Sequence, residues 1–369
     1  MGPEEKKLTE YLSLLTPPDA SAREAAAARW ASLAHPLGGL GLLEDDICDI
    51  AALTGDADIS LHPAAALVFC SDNGVVEEGI SQTDAGVTGV VAENIIHGRT
   101  SVCRMAVSAG IQVAAVDMGI KDFQPPSDVS ASVNSLFSRR IGNGTANIRK
   151  GPAMSREQAV QGILTGFEAA DAMKQAGVQL AGIGEMGIGN TTTSSCLLGA
   201  LTGVDPVKLV GRGGGLDNEG LAAKVRIVGE ASERCRGMDP IGMLAEIGGF
   251  DICAMTGCFL GAARNRMPVV IDGFISIVAA CMAREFNPLV TNYMFASHKS
   301  AEIGYATAME RLGLTPMFDL GMRLGEGSGC PIAFKILEAS CATMSIMKTL
   351  AEGSIDAAYL EEIKKGNFF

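Results

Sequence analysis

The chain has 369 residues, 47% hydrophobic but only 5% aromatic, with 45 glycines and a formal net charge of −13. That length suits one large or two modest domains whose core needs no disulfide support. The acidic balance excludes a nucleic-acid surface as the main business, and the scarcity of aromatics argues against a β-sandwich.

The first elements are helical. Spaced leucines over 4–15, a break at Pro17-Pro18, an alanine-rich helix over 20–34 ended by His35-Pro36, and a short helix over 44–53 make a strandless opening segment. No hydrophobic signal core and no membrane-spanning apolar run is present, so a soluble, cytoplasmic protein without a membrane partner is expected. From Pro63 the pattern changes. Residues 64–70 read as a buried strand, followed by the polar loop Ser71-Asp72-Asn73-Gly74, helices over 85–96 and 101–109, and a second strand over 111–116. Residues 122–154 are long and polar, the kind of loop that is functional or mobile. A helix over 155–176 opens with a Ser155/Gln158 capping box.

The next stretch carries the chemistry. A short strand from Gly177 runs into Gly182-Ile183-Gly184-Glu185-Met186-Gly187-Ile188-Gly189, then Asn190 and five consecutive hydroxyl residues, 191–195, then an apolar helix that Asn190 or Thr191 would cap. Strand, glycine turn and helix opening make an anion site: unpaired N–H groups point outward, the helix dipole favours negative charge, and missing Cβ atoms let a phosphate approach. Gly182-x-Gly184-x-x-Gly187 also fits the dinucleotide fingerprint, with Asp205 about 20 residues on. But Asp205 sits in a turn before any second strand, which misplaces a ribose contact. A Walker loop would need a lysine. Glycines serving only a tight turn are the third reading.

Further on come a glycine turn at 211–215, helices over 216–235 and 243–264, a strand over 268–271 landing on Asp272-Gly273, and a helix from Phe274. A strand over 289–296 ends at Ser297-His298-Lys299-Ser300, then follow a helix over 301–312, a short strand over 317–320, the loop Arg323-Leu324-Gly325-Glu326-Gly327-Ser328-Gly329, a helix over 331–350 and a short helical tail. Strands alternating with helices predict an α/β fold: a three-layer, mostly parallel, Rossmann-like sheet with helices on both faces. Ligands bind such sheets beyond the strand carboxyl ends, where loops 71–74, 184–195, 272–273, 297–300 and 323–329 all fall.

Asp72, Glu185, Asp272 and Glu326 are the acid–base candidates. Glu326, flanked by glycines, reads either as a catalytic carboxylate or as a charge at a helix N-terminus worth about 0.3–1 kcal/mol. Lys224 reads as a solvated helix lysine as readily as a ligand, and His298 as a structural histidine as readily as a catalytic one. The ten cysteines show no C-x-x-C pair and the four histidines no metal spacing, so buried thiols and no metal are expected.

These motifs, in this order, resemble the nicotinate-nucleotide–dimethylbenzimidazole phosphoribosyltransferase (CobT) family: Gly184-Glu185-Met186-Gly187-Ile188-Gly189-Asn190-Thr191-Thr192, Gly211-Arg212-Gly213 with Leu216-Asp217, Asp272-Gly273-Phe274, Ser297 to Glu302, and Arg323 to Gly329. The resemblance implies a large α/β domain over 56–330, a small helical domain from both chain ends (1–55 and 331–369), and a dimer, of two identical chains or with a paralogue. It implies nicotinate mononucleotide and an aromatic acceptor base as substrates, and no cofactor. Glu326 would be the general base. Gly187, Ile188, Gly189, Asn190, Thr191 and Gly213 would hold the phosphate, Glu185 and Lys224 the ribose–nicotinate end, and Ser300 the nicotinate carboxylate. Asp272, Gly273 and Phe274 would line the site, and Ser81, Met322 and Leu324 the acceptor pocket. Asn73 where the family usually has histidine, no aromatic at 79–83, and Cys330-Pro331 leave the acceptor open among dimethylbenzimidazole, other benzimidazoles, adenine and phenols such as p-cresol. A non-catalytic nucleotide-binding subunit is the remaining alternative.

Overall fold

The computed structural model describes residues 2–126, 134–213 and 215–356. In chain order the elements are α1 (Pro3–Ser13), α2 (Ala20–Ser32), α3 (Leu42–Thr54), β1 (Ala64–Ser71), α4 (Gly86–Ile96), α5 (Ser101–Ala109), β2 (Gln112–Gly119), β3 (Ser135–Ser138) and α6 (Arg156–Gln175). Then come β4 (Leu180–Met186), α7 (Asn190–Thr202), α8 (Asn218–Arg234), α9 (Pro240–Ile247), α10 (Phe250–Arg264), β5 (Val269–Ile271), α11 (Phe274–Phe286), β6 (Met294–Ala296), α12 (Tyr305–Leu312) and α13 (Cys330–Ile346). The chain divides into two compact units, Met1–Thr16 with His62–Ala333, and Pro17–Leu61 with Phe334–Phe369.

The larger unit is built on six parallel strands in the order β3-β2-β1-β4-β5-β6. The chain steps outward from β1 to β2 and β3, then crosses back to place β4 beside β1 and steps the other way. The crevice between the carboxyl ends of β1 and β4 is therefore the topological switch point, where open α/β sheets bind ligands. Consecutive side chains along a strand point to opposite faces, yet β1 is buried at every position but Ala65 and β5 and β6 are buried throughout. Both faces are covered by helices, which is why these strands read as unbroken apolar runs.

Helices α6 and α10 pack backbone to backbone. A Cβ on Gly257 would lie 1.8 Å from the Ile163 carbonyl oxygen, and one on Gly166 2.0 Å from that of Ala254. Backbone cannot yield as a side-chain tip can, so Gly257→Ala is expected to destabilise by at least about 1–3 kcal/mol, the usual cost of overpacking, read as a lower urea midpoint.

In the smaller unit Asp19 caps α2 by accepting from Ser21 and Ala22 N–H at 2.9 and 3.2 Å. Arg29 closes the far end of α13, donating to the carbonyls of Met344 and Met347 at 3.2 and 3.1 Å. Trp30 is buried, its ring edge-on to His35 at 5.7 Å between centroids. Among the described residues no helix is long and apolar enough to cross a membrane.

Several elements differ from the pattern reading. The helix expected over 243–264 is two, because Gly248 and Gly249 turn extended between α9 and α10 while the apolar periodicity runs through both. The strand expected over 289–296 is a 3-10 turn (Pro288–Tyr293) capped by the Asn287 side chain, with only β6 extended. Asn-Pro is turn chemistry that the apolar run hides. Residues 317–320 make one bridge, Phe318 to His298, rather than a strand. The helix expected from Ala301 starts at Tyr305. The polar stretch 122–154 contains the edge strand β3, and of the helical tail expected after residue 350 the part over 351–356 is turn and irregular backbone while the rest lies outside the described residues.

Candidate active site

A cavity of about 330 Å³ opens where β4, β5 and β6 end. Of the residues singled out from sequence, Ser81, Glu185, Gly187, Ile188, Gly189, Asn190, Thr191, Gly213, Gly273, Phe274, Ser300, Leu324 and Glu326 line it together. Lys224, Asp272 and Met322 do not. The Met322 carbonyl accepts Ala301 N–H at 2.9 Å, which ties the 323–329 loop to the one after β6.

The cradle after β4 begins at Gly187, where a Cβ would lie 2.3 Å from the Ser71 carbonyl oxygen. Gly189 takes φ +93° and is the N-cap of α7, so neither Asn190 nor Thr191 caps this helix. Asn190 instead turns its amide back onto the carboxylates of Glu185 and Asp251. The hydroxyl run is mostly structural as well. Thr193 and Ser195 bond carbonyls one turn back, Thr192 and Ser194 are buried, and only Thr191 reaches the cavity. What remains for an anion is the first turn of α7 with its dipole. Ile188 N–H is already taken, donating to Thr88 Oγ1 at 3.1 Å, while Thr88 donates to Asp72 Oδ1 at 2.7 Å. Asp72 also accepts Lys121 N–H at 2.7 Å, and Asn73 Nδ2 donates to the Ile188 carbonyl at 3.4 Å. The loop after β1 thus braces the cradle from behind.

Lys224, on α8, is 1% exposed and donates to Thr191 Oγ1 at 2.8 Å. Burial lowers its pKa to about 8, offset in part by Glu302. Its charge stands directly behind the cradle, next to Gly213, whose added Cβ would sit 3.6 Å from Nζ. This is a buried cation rather than a solvated helix lysine.

Opposite the cradle, Gly325, Glu326 and Gly327 take φ of +82°, +60° and +77° in succession. A left-handed glutamate is uncommon and costs on the order of 1–2 kcal/mol. Asp272 holds it there: its carboxylate, 1% exposed, accepts Gly327 N–H at 2.9 Å and Gly329 N–H at 2.7 Å. The loop also closes on β4, since a Cβ on Gly184 would lie 2.3 Å from Gly327 N. Among the described residues nothing hydrogen-bonds the Glu326 carboxylate, and burial alone raises its pKa. Asp272, by contrast, is fully engaged with backbone, so its role is to shape the loop.

His298 lines the cavity, stacked on Phe318, and burial lowers its pKa to about 4, so it is neutral. Ser297 Oγ lies 3.1 Å from the Asp272 carbonyl, to which it can donate, and 2.9 Å from His298 Nδ1. Asp251, Thr88, Glu302 and Arg323 belong to the site or its support and were not among the sequence candidates. For Asp251 the helix-breaking Gly248-Gly249 pair was the available signal.

The family model described as Phosphoribosyltransferase (DBI_PRT) matches residues 15–355. A nicotinate-nucleotide–dimethylbenzimidazole phosphoribosyltransferase of Clostridium perfringens is 46% identical over 90% of this chain and 91% of its own. One of Clostridium tetani is 40% identical over 98% of both chains. The crystal structure of CobT from Thermus thermophilus superposes with a TM-score of 0.86 at 35% identity, covering 92% of this chain and all of that one. With its anion cradle facing an unengaged glutamate across one cavity, the chain belongs to the nicotinate-nucleotide–dimethylbenzimidazole phosphoribosyltransferase family.

Proposed function

We propose that this protein transfers the phosphoribosyl group of nicotinate mononucleotide to 5,6-dimethylbenzimidazole, giving the α-ribotide and nicotinate for the nucleotide loop of cobalamin-type cofactors. The observation that carries this is the free carboxylate of Glu326 facing the α7 cradle across one cavity. The pyridinium nitrogen of the donor is already cationic, so the C1′–N bond breaks with nicotinate leaving neutral at nitrogen. One benzimidazole nitrogen bonds to C1′ from the opposite face, which converts the β to the α linkage. Its other nitrogen gives its proton to Glu326, which later releases it to water. General-base help of this kind is worth about 10²–10⁴-fold.

The cradle with Thr191 and Gly213 holds the 5′-phosphate in this reading, and Lys224, expected at the ribose–nicotinate end, is reassigned to the phosphate because its ammonium stands behind Thr191. Glu185 serves the ribose, Ser300 the nicotinate carboxylate, and Ser81 and Leu324 the acceptor. The similarity to relatives named for dimethylbenzimidazole favours that base over phenol or p-cresol. The intact Glu326 speaks against a non-catalytic subunit. A dimer in the cytoplasm is part of the same proposal; light scattering tests the dimer.

Incubating the purified chain with nicotinate mononucleotide and a panel of benzimidazoles, adenine, phenol and p-cresol, with products identified by mass, tests the reaction. A benzimidazole ribotide plus nicotinate is expected, and a chain that leaves the nucleotide intact with every acceptor overturns it. The pH profile follows from two groups. Glu326 must be ionised, so kcat falls as pH drops through its raised pKa. Lys224 must be protonated to meet the phosphate, so kcat/KM falls as pH rises through about 8. A profile with no fall through about pH 8 would contradict the Lys224 assignment, and one with no acid limb over the range where the protein stays folded would contradict that of Glu326.

A further inference from the structure

Asp251 lies in the first turn of α10, behind the cradle and outside the cavity lining, with none of its surface exposed. Asn190 Nδ2 donates to its Oδ2 at 3.1 Å and also to Oε2 of Glu185, so one side-chain amide joins two buried carboxylates. The other oxygen, Oδ1, accepts the backbone N–H of Ile252 at 3.0 Å. Beside it stands Asn73 Oδ1, a buried acceptor with no partner among the described residues: a Cβ on Gly249 would be 2.3 Å from Asp251 Oδ1 and 2.8 Å from Asn73 Oδ1. The ionisable groups acting on the pair are Asp272 and Glu326 from the loops opposite, Asp72 from the loop after β1, and Cys70 on β1. None of them is a cation. Two carboxylates and an orphan acceptor around a single amide are short of a hydrogen, and a second buried charge without a partner is costly.

We propose that Glu185 and Asp251 share one proton across Asn190 in the working enzyme. Asp251 is then a positioning residue that keeps a single negative charge, rather than two, behind the cradle that receives the anionic mononucleotide. This rests on nicotinate mononucleotide being the donor. Burial and mutual repulsion both raise the pair's titration toward neutrality and above. When the shared proton leaves at alkaline pH, the second charge repels the incoming phosphate and KM climbs. Lys224 deprotonates in the same range, but it does so in every variant compared, so its contribution cancels.

The test measures KM for nicotinate mononucleotide at pH 7 and pH 9 in the wild type, Asp251→Asn and Asp251→Ala. Asparagine fixes a neutral partner: its Oδ1 can keep the Asn190 donor while its Nδ2, unlike at position 272, has the acceptor Asn73 Oδ1 beside it, at the cost of the Ile252 N–H contact alone. Its KM at pH 7 should stay within about threefold of wild type, and its ratio of KM at pH 9 to pH 7 should be at least about threefold smaller. Alanine, which leaves the Asn190 amide with Glu185 alone and the Ile252 N–H without Asp251, should raise KM at pH 7 by about tenfold. An asparagine variant with the wild-type ratio, or one as impaired at pH 7 as alanine, overturns the shared proton. Should Asp251→Asn fail to fold by circular dichroism, Glu185→Gln must flatten the same ratio, and an unchanged ratio there overturns the proposal. A wild type that turns over no nicotinate mononucleotide overturns the donor reading and this inference with it.

Discussion

Glu326→Gln is expected to lower kcat by about 10²–10⁴-fold with little change in KM for nicotinate mononucleotide, because it removes the proposed proton acceptor and leaves the proposed phosphate cradle intact. The variant should also lose the acid limb of the kcat profile, since glutamine does not titrate. A companion substitution separates chemistry from backbone. Position 326 sits at φ +60° between two left-handed glycines, so Glu326→Gly relieves a strained conformation and a desolvated carboxyl together. It gives back some unfolded-chain entropy, about 0.4–1 kcal/mol, against the roughly 1–2 kcal/mol of left-handed strain. Its urea midpoint should therefore equal or exceed that of the wild type while its turnover is as low as that of the glutamine variant. An active glycine variant would remove Glu326 from the chemistry. A markedly less stable one would mean that the side chain supports the loop.

The parallel sheet was legible because each long strand is buried on both faces and so reads as an unbroken apolar run beside glycine punctuation. β3 was not, since a four-residue edge strand with two exposed serines carries no such pattern. The turn after β4 was legible at Gly187 and Gly189, where a close backbone approach and a φ of +93° require glycine. The side-chain partners were not. Nothing local to Asn190 tells that its amide serves two acids, one of them 61 positions away on another helix. Lys224 shows the same limit: a lysine in a helix looks solvated until the fold places it against Thr191. Asp272 looked like an acid–base candidate for the opposite reason, since a carboxylate at the end of a strand resembles a catalytic one until its two backbone donors are seen.

Those two donors make Asp272→Ala the change with the widest expected consequences. The carboxylate is buried and fixes Gly327 and Gly329 through their N–H groups. Alanine leaves two buried donors unsatisfied, at about 1–3 kcal/mol each, so the urea midpoint should fall. The loop loses what holds Glu326 left-handed. Displacing the base by about 1 Å is enough to cost about 10²-fold in turnover. Asparagine should rescue little, although it removes the charge that burial opposes: its Oδ1 accepts one N–H, but its Nδ2 meets the other donor head-on. If Asp272 acts only through the position of Glu326, the double variant Asp272→Ala/Glu326→Gln should turn over no more slowly than Glu326→Gln alone, while keeping the stability loss of Asp272→Ala. Additive losses in kcat would instead show Asp272 acting on the substrate directly.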